Sequence, residues 1–220
     1  DFVGSRGLGD VYKRQSVAIV GAAESTHMGK LPEMAQIQIH ADSALNALAD
    51  CGLTIKDIDG VATAGHNAVE LAHYMGITPT WVDGTSVGGC SFMLHVRHAA
   101  AAIEAGLCTT ALITHGESGR HWIGRHGPSI FPSLFQMQFE QPYGVTRPPT
   151  MFTIPVMRYM TDYGLTEEQL GMVAVTQREW AGFHPRASFR DPITVDDVLD
   201  SKMICYPCLL YTSPSPRDPT

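Results

Sequence analysis

No apolar run in this 220-residue chain approaches the roughly 20 residues that a helical membrane span requires, so none is expected. Positive charge is also scarce: 15 Lys and Arg stand against 22 Asp and Glu, a net charge of −7. A mildly acidic chain with no basic stripe argues against nucleic acid as the main partner. Cysteine is sparse, with five in all. Cys51, Cys90, Cys108 and Cys205 have no metal-ligand spacing, and no metal site is expected. Free thiols suit a cytoplasmic protein. Cys205-Tyr-Pro-Cys208 has the form of a redox or zinc C-x-x-C, but Cys208 falls in a terminal stretch that reads as foreign. A phosphate-cradling G-x-G-x-x-G is missing after the first apolar run, residues 17–23 (VAIVGAA), so that run predicts a strand and no dinucleotide site.

The two ends carry an unusual relation. Residues 10–15 (DVYKRQ) and 208–213 (CLLYTS) can be encoded by opposite strands of one DNA stretch, and the match extends outward on both sides. Unrelated natural termini would hardly share such an inverted repeat. Residues 1–15 and 208–220 therefore read as adapter-derived tails on a longer gene cut at both sides, and are set aside from fold reasoning. The expected organisation is an α/β core over 16–118, then a loop domain with returning helices over 119–207. Such a piece is expected to be inactive alone, because a divided core leaves an apolar face uncovered.

The chain is organised around residues 81–118. Gly84, Gly88 and Gly89 form a loop able to bend tightly, and Cys90-Ser91 open a run with Phe92, Val96, Ala99, Ala100 and Ile103 at helical spacing. Alanines fill the remaining positions, which predicts a slim helix packed on most sides, ended by Gly106. A β-branched strand follows at 110–114. Strands at 17–20, 61–64, 80–82 and 110–114 alternate with helical segments, one of them using Met34, Ile37, Ala41, Ala44, Leu45 and Leu48 as its apolar face. That alternation predicts βαβ units and a largely parallel sheet. Residues 119–150 sustain no period and read as a long excursion, the kind of loop that is usually functional. Helices are expected at 152–163 and 166–181, the second begun by a Thr166–Gln169 capping box, with another after Thr194.

Three stretches carry a family resemblance: VAIVGAAES at 17–25, VDGTSVGGCSF with AAAAIEAGLCTTALITHGES across 82–118, and RYMTDYGLTEEQLGMVAVTQREWAGFHPRASFRDPITVDDVLDSKMI at 158–204. With these the chain resembles the thiolase superfamily, in its sterol-carrier/lipid-transfer-protein-like branch, over nearly all of 16–207. The resemblance implies the N-terminal half of a layered αβαβα thiolase fold, with a mixed, mostly parallel sheet. It implies an acyl-CoA acyltransferase of the acetyl-CoA acetyltransferase or 3-ketoacyl-CoA thiolase type. A retro-aldolase acting on a CoA thioester with a small OB-fold partner, or a non-catalytic lipid- or acyl-CoA-binding subunit, are the alternatives.

In this family a cysteine at the tip of the central helix attacks the thioester, helped by the helix end. Anchored on residues 102–106 (AIEAG), its equivalent here is Gly89, with Cys90 one position along and turned by about 100°. Cys90 and His115, which directly follows a strand, are the catalytic candidates. Ser91, Arg120, Arg125, Tyr143, Arg147 and Arg158 are the candidates for substrate or CoA, with Phe139 and Tyr143 as walls of an acyl pocket. His95 and His98, one helical turn apart, read as packing or surface residues. No covalently bound cofactor is implied, coenzyme A thioester being the substrate, and a homodimer joined beside the central helix is the family expectation.

Overall fold

The computed structural model describes residues 17–116, 134–145 and 148–210. They belong to two compact units divided between Phe131 and Pro132.

The first unit contains helix α1 (Gln36–Cys51), strand β1 (Gly60–Ala64), α2 (Ala68–Met75), β2 (Trp81–Asp83), α3 (Ser91–Glu104) and β3 (Ala111–His115). The strands form one parallel sheet in the order β2-β1-β3. β1 is buried along its whole length, as a middle strand covered on both faces must be. Gly60 pairs with Trp81 on one side and Ala111 on the other, and Ala64 pairs with His115.

Side chains alternate across a strand, so this register sorts the sheet into two faces. Val61 and Leu112 join Ala44 and Leu48 of α1 and Leu71, Ala72 and Met75 of α2 in one core cluster. Thr63 and Thr114 lie on that same face, two residues further along. The other face, with Ala62, Ala64, Ile113 and His115, is the one α3 covers. Small residues suit it, since Ala99 and Ala102 of α3 are the buried positions there.

Local chemistry sets the element ends. Asn67 caps α2, its Oδ1 accepting from the N–H groups of Val69 (2.9 Å) and Glu70 (3.2 Å). Asp59, just before β1, accepts from the N–H groups of Thr109 and Thr110 (2.8 Å each to Oδ1) and so fixes the entry to β3. Burial works to raise the Asp59 carboxyl, but these hydrogen bonds outweigh it and hold the group below the usual carboxylate range.

Two expectations need correction. Residues 17–20 form no strand; Ile19 and Val20 are 77% and 62% exposed. The segment lies instead along the C-terminal half of α1: the Ala22 N–H donates to Asp50 Oδ2 (3.1 Å), and a Cβ on Gly21 would meet the Ala47 carbonyl oxygen at 2.5 Å. A strand needs a neighbouring ladder, and among the described residues none pairs with this one. The helix faces are also rotated from the apolar pattern. α1 buries Gln36, His40, Ala44 and Leu48, while Leu45 is exposed. α3 buries Ser91, His95, Ala99 and Ala102, with Phe92, Met93 and Val96 exposed. In each helix buried polar contacts, rather than apolar count, set the rotation. The other strands fall within one residue of the expected 61–64, 80–82 and 110–114.

The second unit has α4 (Leu134–Phe139), a 3₁₀ turn (Gln141–Tyr143), α5 (Pro148–Tyr163), α6 (Glu167–Phe183), α7 (Val195–Leu199) and a hairpin of β4 (Met203–Cys205) and β5 (Cys208–Leu209). Thr166 and Thr194 each open a helix with a capping box, closed by Gln169 and Asp197. Ala174, Val198 and Leu209 form a small core that ties α6, α7 and β5 together. Cys205 and Cys208 stand opposite each other across the hairpin as free thiols.

Candidate functional site

The site is built where strands β1 and β3 end and α3 begins. Residues 84–90 carry the chain from the end of β2 to the tip of α3, inside the crossover between β2 and β3. Three side chains on one stripe of α3, each a turn from the next, grip that loop. Ser91 is fully buried; its hydroxyl donates to the Gly88 carbonyl (2.6 Å) and accepts from the Val87 N–H (2.9 Å). His95, also fully buried, donates from Nε2 to the Thr85 carbonyl (2.9 Å). Among the described residues its Nδ1 has no partner. His98 Nδ1 lies 2.6 Å from Asp83 Oδ2, and Asp83 Oδ1 accepts from the Thr85 N–H and hydroxyl (2.8 and 2.6 Å). Burial tends to raise the Asp83 carboxyl, but Thr85 and then His98 prevail and depress it.

Cys90 occupies the N-cap position of α3, exposed, and its thiol makes no capping hydrogen bond. Nothing lies within 4 Å of where a Cβ on Gly89 would stand. The tip of the helix thus opens to space at position 89. Helix N-termini present unpaired N–H groups and partial positive charge, which favour a developing anion. His115, at the end of β3, lies with its ring centroid 5.4 Å from that of Phe92, in the first turn of α3. The structure therefore brings Gly89, Cys90 and His115 to one end of the sheet. Ser91 belongs to the same turn, but both hydrogen bonds of its hydroxyl go to the loop backbone.

Behind His115 is a polar network that the sequence reading passed over. His40 of α1 is fully buried. Its Nε2 donates to the Gly116 carbonyl (3.0 Å), and its Nδ1 faces the hydroxyls of Thr114 (2.8 Å) and Thr63 (3.2 Å), themselves 2.7 Å apart. A carbonyl can only accept, so Nε2 carries the proton and Nδ1 is the acceptor. One turn earlier on α1, Gln36 donates from Nε2 to the carbonyls of Gly65 (2.5 Å) and Gly116 (2.9 Å). Burial lowers the His40 pKa from 6.5 to about 4, with the charges of His66 and His115 adding to that and the Gly116 hydrogen bond opposing it. The signal available in the sequence was Gln36-x-x-x-His40 in line with Ala44 and Leu48, two polar residues on a core stripe.

The other candidates belong to the second unit or fall outside the described residues. Tyr143 (85% exposed) and Phe139 (60% exposed) belong to the second unit, as does Arg158, whose Nε donates to Asp162 Oδ2 (2.6 Å) on the same helix. Arg120, Arg125 and Arg147 lie outside the described residues. Among the described residues no group of three potential metal ligands is assembled, and no helix is long and apolar enough to cross a membrane.

No family model matches the chain. An acetyl-CoA acetyltransferase from Methanothermobacter thermautotrophicus is 29% identical over 211 residues, 91% of this chain and 54% of that protein. A 17-hydroxy-3-oxo-4-pregnene-20-carboxyl-CoA lyase from Mycobacterium tuberculosis is 28% identical over 204 residues, 88% of this chain and 53% of that one. Among solved structures, an Ltp2-ChsH2(DUF35) aldolase superposes with a TM-score of 0.76 at 27% identity, over 88% of this chain and 51% of that one. A monomeric SCP2-thiolase-like protein from Mycobacterium smegmatis superposes at 0.63 with 19% identity, over 84% and 39%. The chain has a thiolase-like fold and is similar in sequence to acetyl-CoA acetyltransferases and CoA-thioester lyases. It spans about half the length of the curated relatives it matches. Those relatives divide between acyltransferases and CoA-thioester lyases.

Proposed function

We propose that the full-length protein breaks a carbon–carbon bond in a CoA thioester by retro-aldol cleavage, with no acyl group carried on the protein. The observation behind this reading is the glycine at position 89. The residue matched to the family nucleophile has no side chain, and the space before it is open. Cys90 next to it caps nothing and is exposed. The likeness to an aldolase structure and to a CoA-thioester lyase supports the same reading.

In such a reaction the 3-hydroxyl of a hydroxyacyl thioester gives up its proton and the bond between the second and third carbons breaks. A carbonyl compound leaves. The electron pair stays on the thioester as an enolate, which takes up a proton to give a shortened acyl-CoA. The N-terminal end of α3 suits the enolate oxygen, and the exposed imidazole of His115 suits the proton transfer. The test is full-length protein given a 3-hydroxyacyl-CoA and no free CoA. Equimolar carbonyl compound and shortened acyl-CoA are expected. Cleavage only of 3-ketoacyl thioesters, and only with free CoA added, would establish thiolysis instead.

Acyl transfer through Cys90 is the second reading, favoured by its place at the N-terminus of a 14-residue helix. Binding of acyl-CoA with neither cleavage nor transfer would leave the non-catalytic reading. A small OB-fold protein is the partner we propose, in line with the two components named in the aldolase structure. For a second copy of the chain we propose the outer edge of β2. That edge has no strand partner among the described residues, and it borders an open groove of about 440 Å³ lined by Trp81, Asp83, His98 and Leu107, among others. Sedimentation of the full-length protein as a monomer would remove that part of the proposal.

A further inference from the structure

We infer that Gln36 and His40 are positioning residues for His115, holding its imidazole against Phe92 at the tip of α3. The argument starts from cost. A helix can be joined to a sheet by leucine, whereas α1 buries a carboxamide and an imidazole at i and i+4, each of which must find partners to avoid the penalty of an unpaired buried polar group. Those partners lie at the strand ends. Gln36 bridges Gly65, just past β1, to Gly116, just past β3. His40 binds Thr114 on one side of His115 and the Gly116 carbonyl on the other.

Alternation does the rest. Thr114 faces α1, so His115 must face α3, and fixing its two neighbours on one face fixes its direction on the other. The closeness of the strand ends is part of the device. Gly65 has φ +90°, and a Cβ there would meet the Gly116 carbonyl oxygen at 2.5 Å. On Gly116 a Cβ would come within 3.3 Å of the His40 ring. A side chain on Gly65 would part the backbone segments that Gln36 and His40 hold together, and one on Gly116 would press on the His40 ring itself. The ring contact of 5.4 Å between His115 and Phe92 is the output of this arrangement.

The kinetic consequence rests on the retro-aldol reading; the positional one does not. Both are measured on the full-length protein, using His40→Leu, which removes both hydrogen-bonding atoms, and His40→Gln, whose carboxamide N–H can still reach Gly116. His40→Leu is expected to lower kcat by about 100-fold, the effect of misplacing a reacting group by about an ångström. KM should change by less than about 3-fold, because substrate contacts remain. His40→Gln should restore most of kcat. By NMR, the His115 imidazole signals should move in His40→Leu and return in His40→Gln.

Unmoved His115 signals in a folded His40→Leu protein would overturn the inference, as would equal loss of kcat in both variants. Should His40→Leu not fold, Thr114→Val carries the same measurements with a smaller change in the core. A wild-type protein that cleaves no thioester sinks the lyase reading alone, and the NMR arm still decides the positioning role.

Discussion

His40 Nε2 lies 3.0 Å from the carbonyl oxygen of Gly116, so a ring carried on α1 reaches past the end of β3. This contact joins the first helix of the unit to the strand end where His115 stands. It also fixes the tautomer, because the carbonyl needs a donor, and leaves Nδ1 to the threonine hydroxyls. A ring used in this way must remain neutral.

That neutrality predicts a pH dependence of stability. The His40 pKa falls from 6.5 to about 4 in the folded protein, through burial first and then the charges of His66 and His115, against the opposing Gly116 hydrogen bond. Between these values the unfolded chain binds a proton that the folded chain refuses, so stability rises with pH across the window and is lost as pH falls from 6.5 to 4. The full span corresponds to about 3 kcal/mol. Urea unfolding at a series of pH values should show this slope, and His40→Gln should flatten it. Equal slopes in the two proteins would remove His40 as the cause.

Gly65 should tolerate no side chain. Gly65→Ala meets both an unfavourable φ and the Gly116 carbonyl, and is expected to cost at least about 3 kcal/mol. Gly76 has φ +72° but open space around it, so Gly76→Ala should cost only about 1 kcal/mol. Denaturant melts of the two variants separate backbone strain from steric contact. Equal losses would mean that the close approach of Gly65 to Gly116 matters little.

In the second unit, Thr166→Ala removes the acceptor for the Gln169 N–H and should cost about 1 kcal/mol. Hydrogen exchange should speed up in the first turn of α6. Unchanged exchange there would show that Glu167 and Glu168, both in that first turn, suffice to hold the helix start.

Much of this was legible in the sequence. The parallel strands, the slim helix ended at Gly106 and the capping box at Thr166 follow from β-branched runs, glycine stops and cap spacing. Residues 17–20 mislead because VAIV has strand chemistry, while strand formation depends on a neighbouring ladder that composition does not report. The helix faces mislead for another reason. Apolar periodicity in α1 and α3 points to Leu45 and Phe92, but the hydrogen bonds of Gln36 and His40 to the strand ends, and of Ser91 and His95 to the loop before α3, turn each helix to bury its polar stripe. Those of Gln36 and His40 join residues up to 80 positions apart and leave no local pattern. At the candidate site, Gly89 is marked only by the family resemblance and His115 by the strand end, while the pairing of His98 with Asp83 has no signal in the sequence.

The central claim is that the tip of α3 handles a thioester without forming a bond to it. The most direct measurement is intact and peptide mass spectrometry of the full-length protein quenched during turnover with an acyl-CoA. The account predicts cleaved product with Cys90 recovered unmodified. An acyl group on Cys90, formed and lost at the rate of turnover, would contradict it.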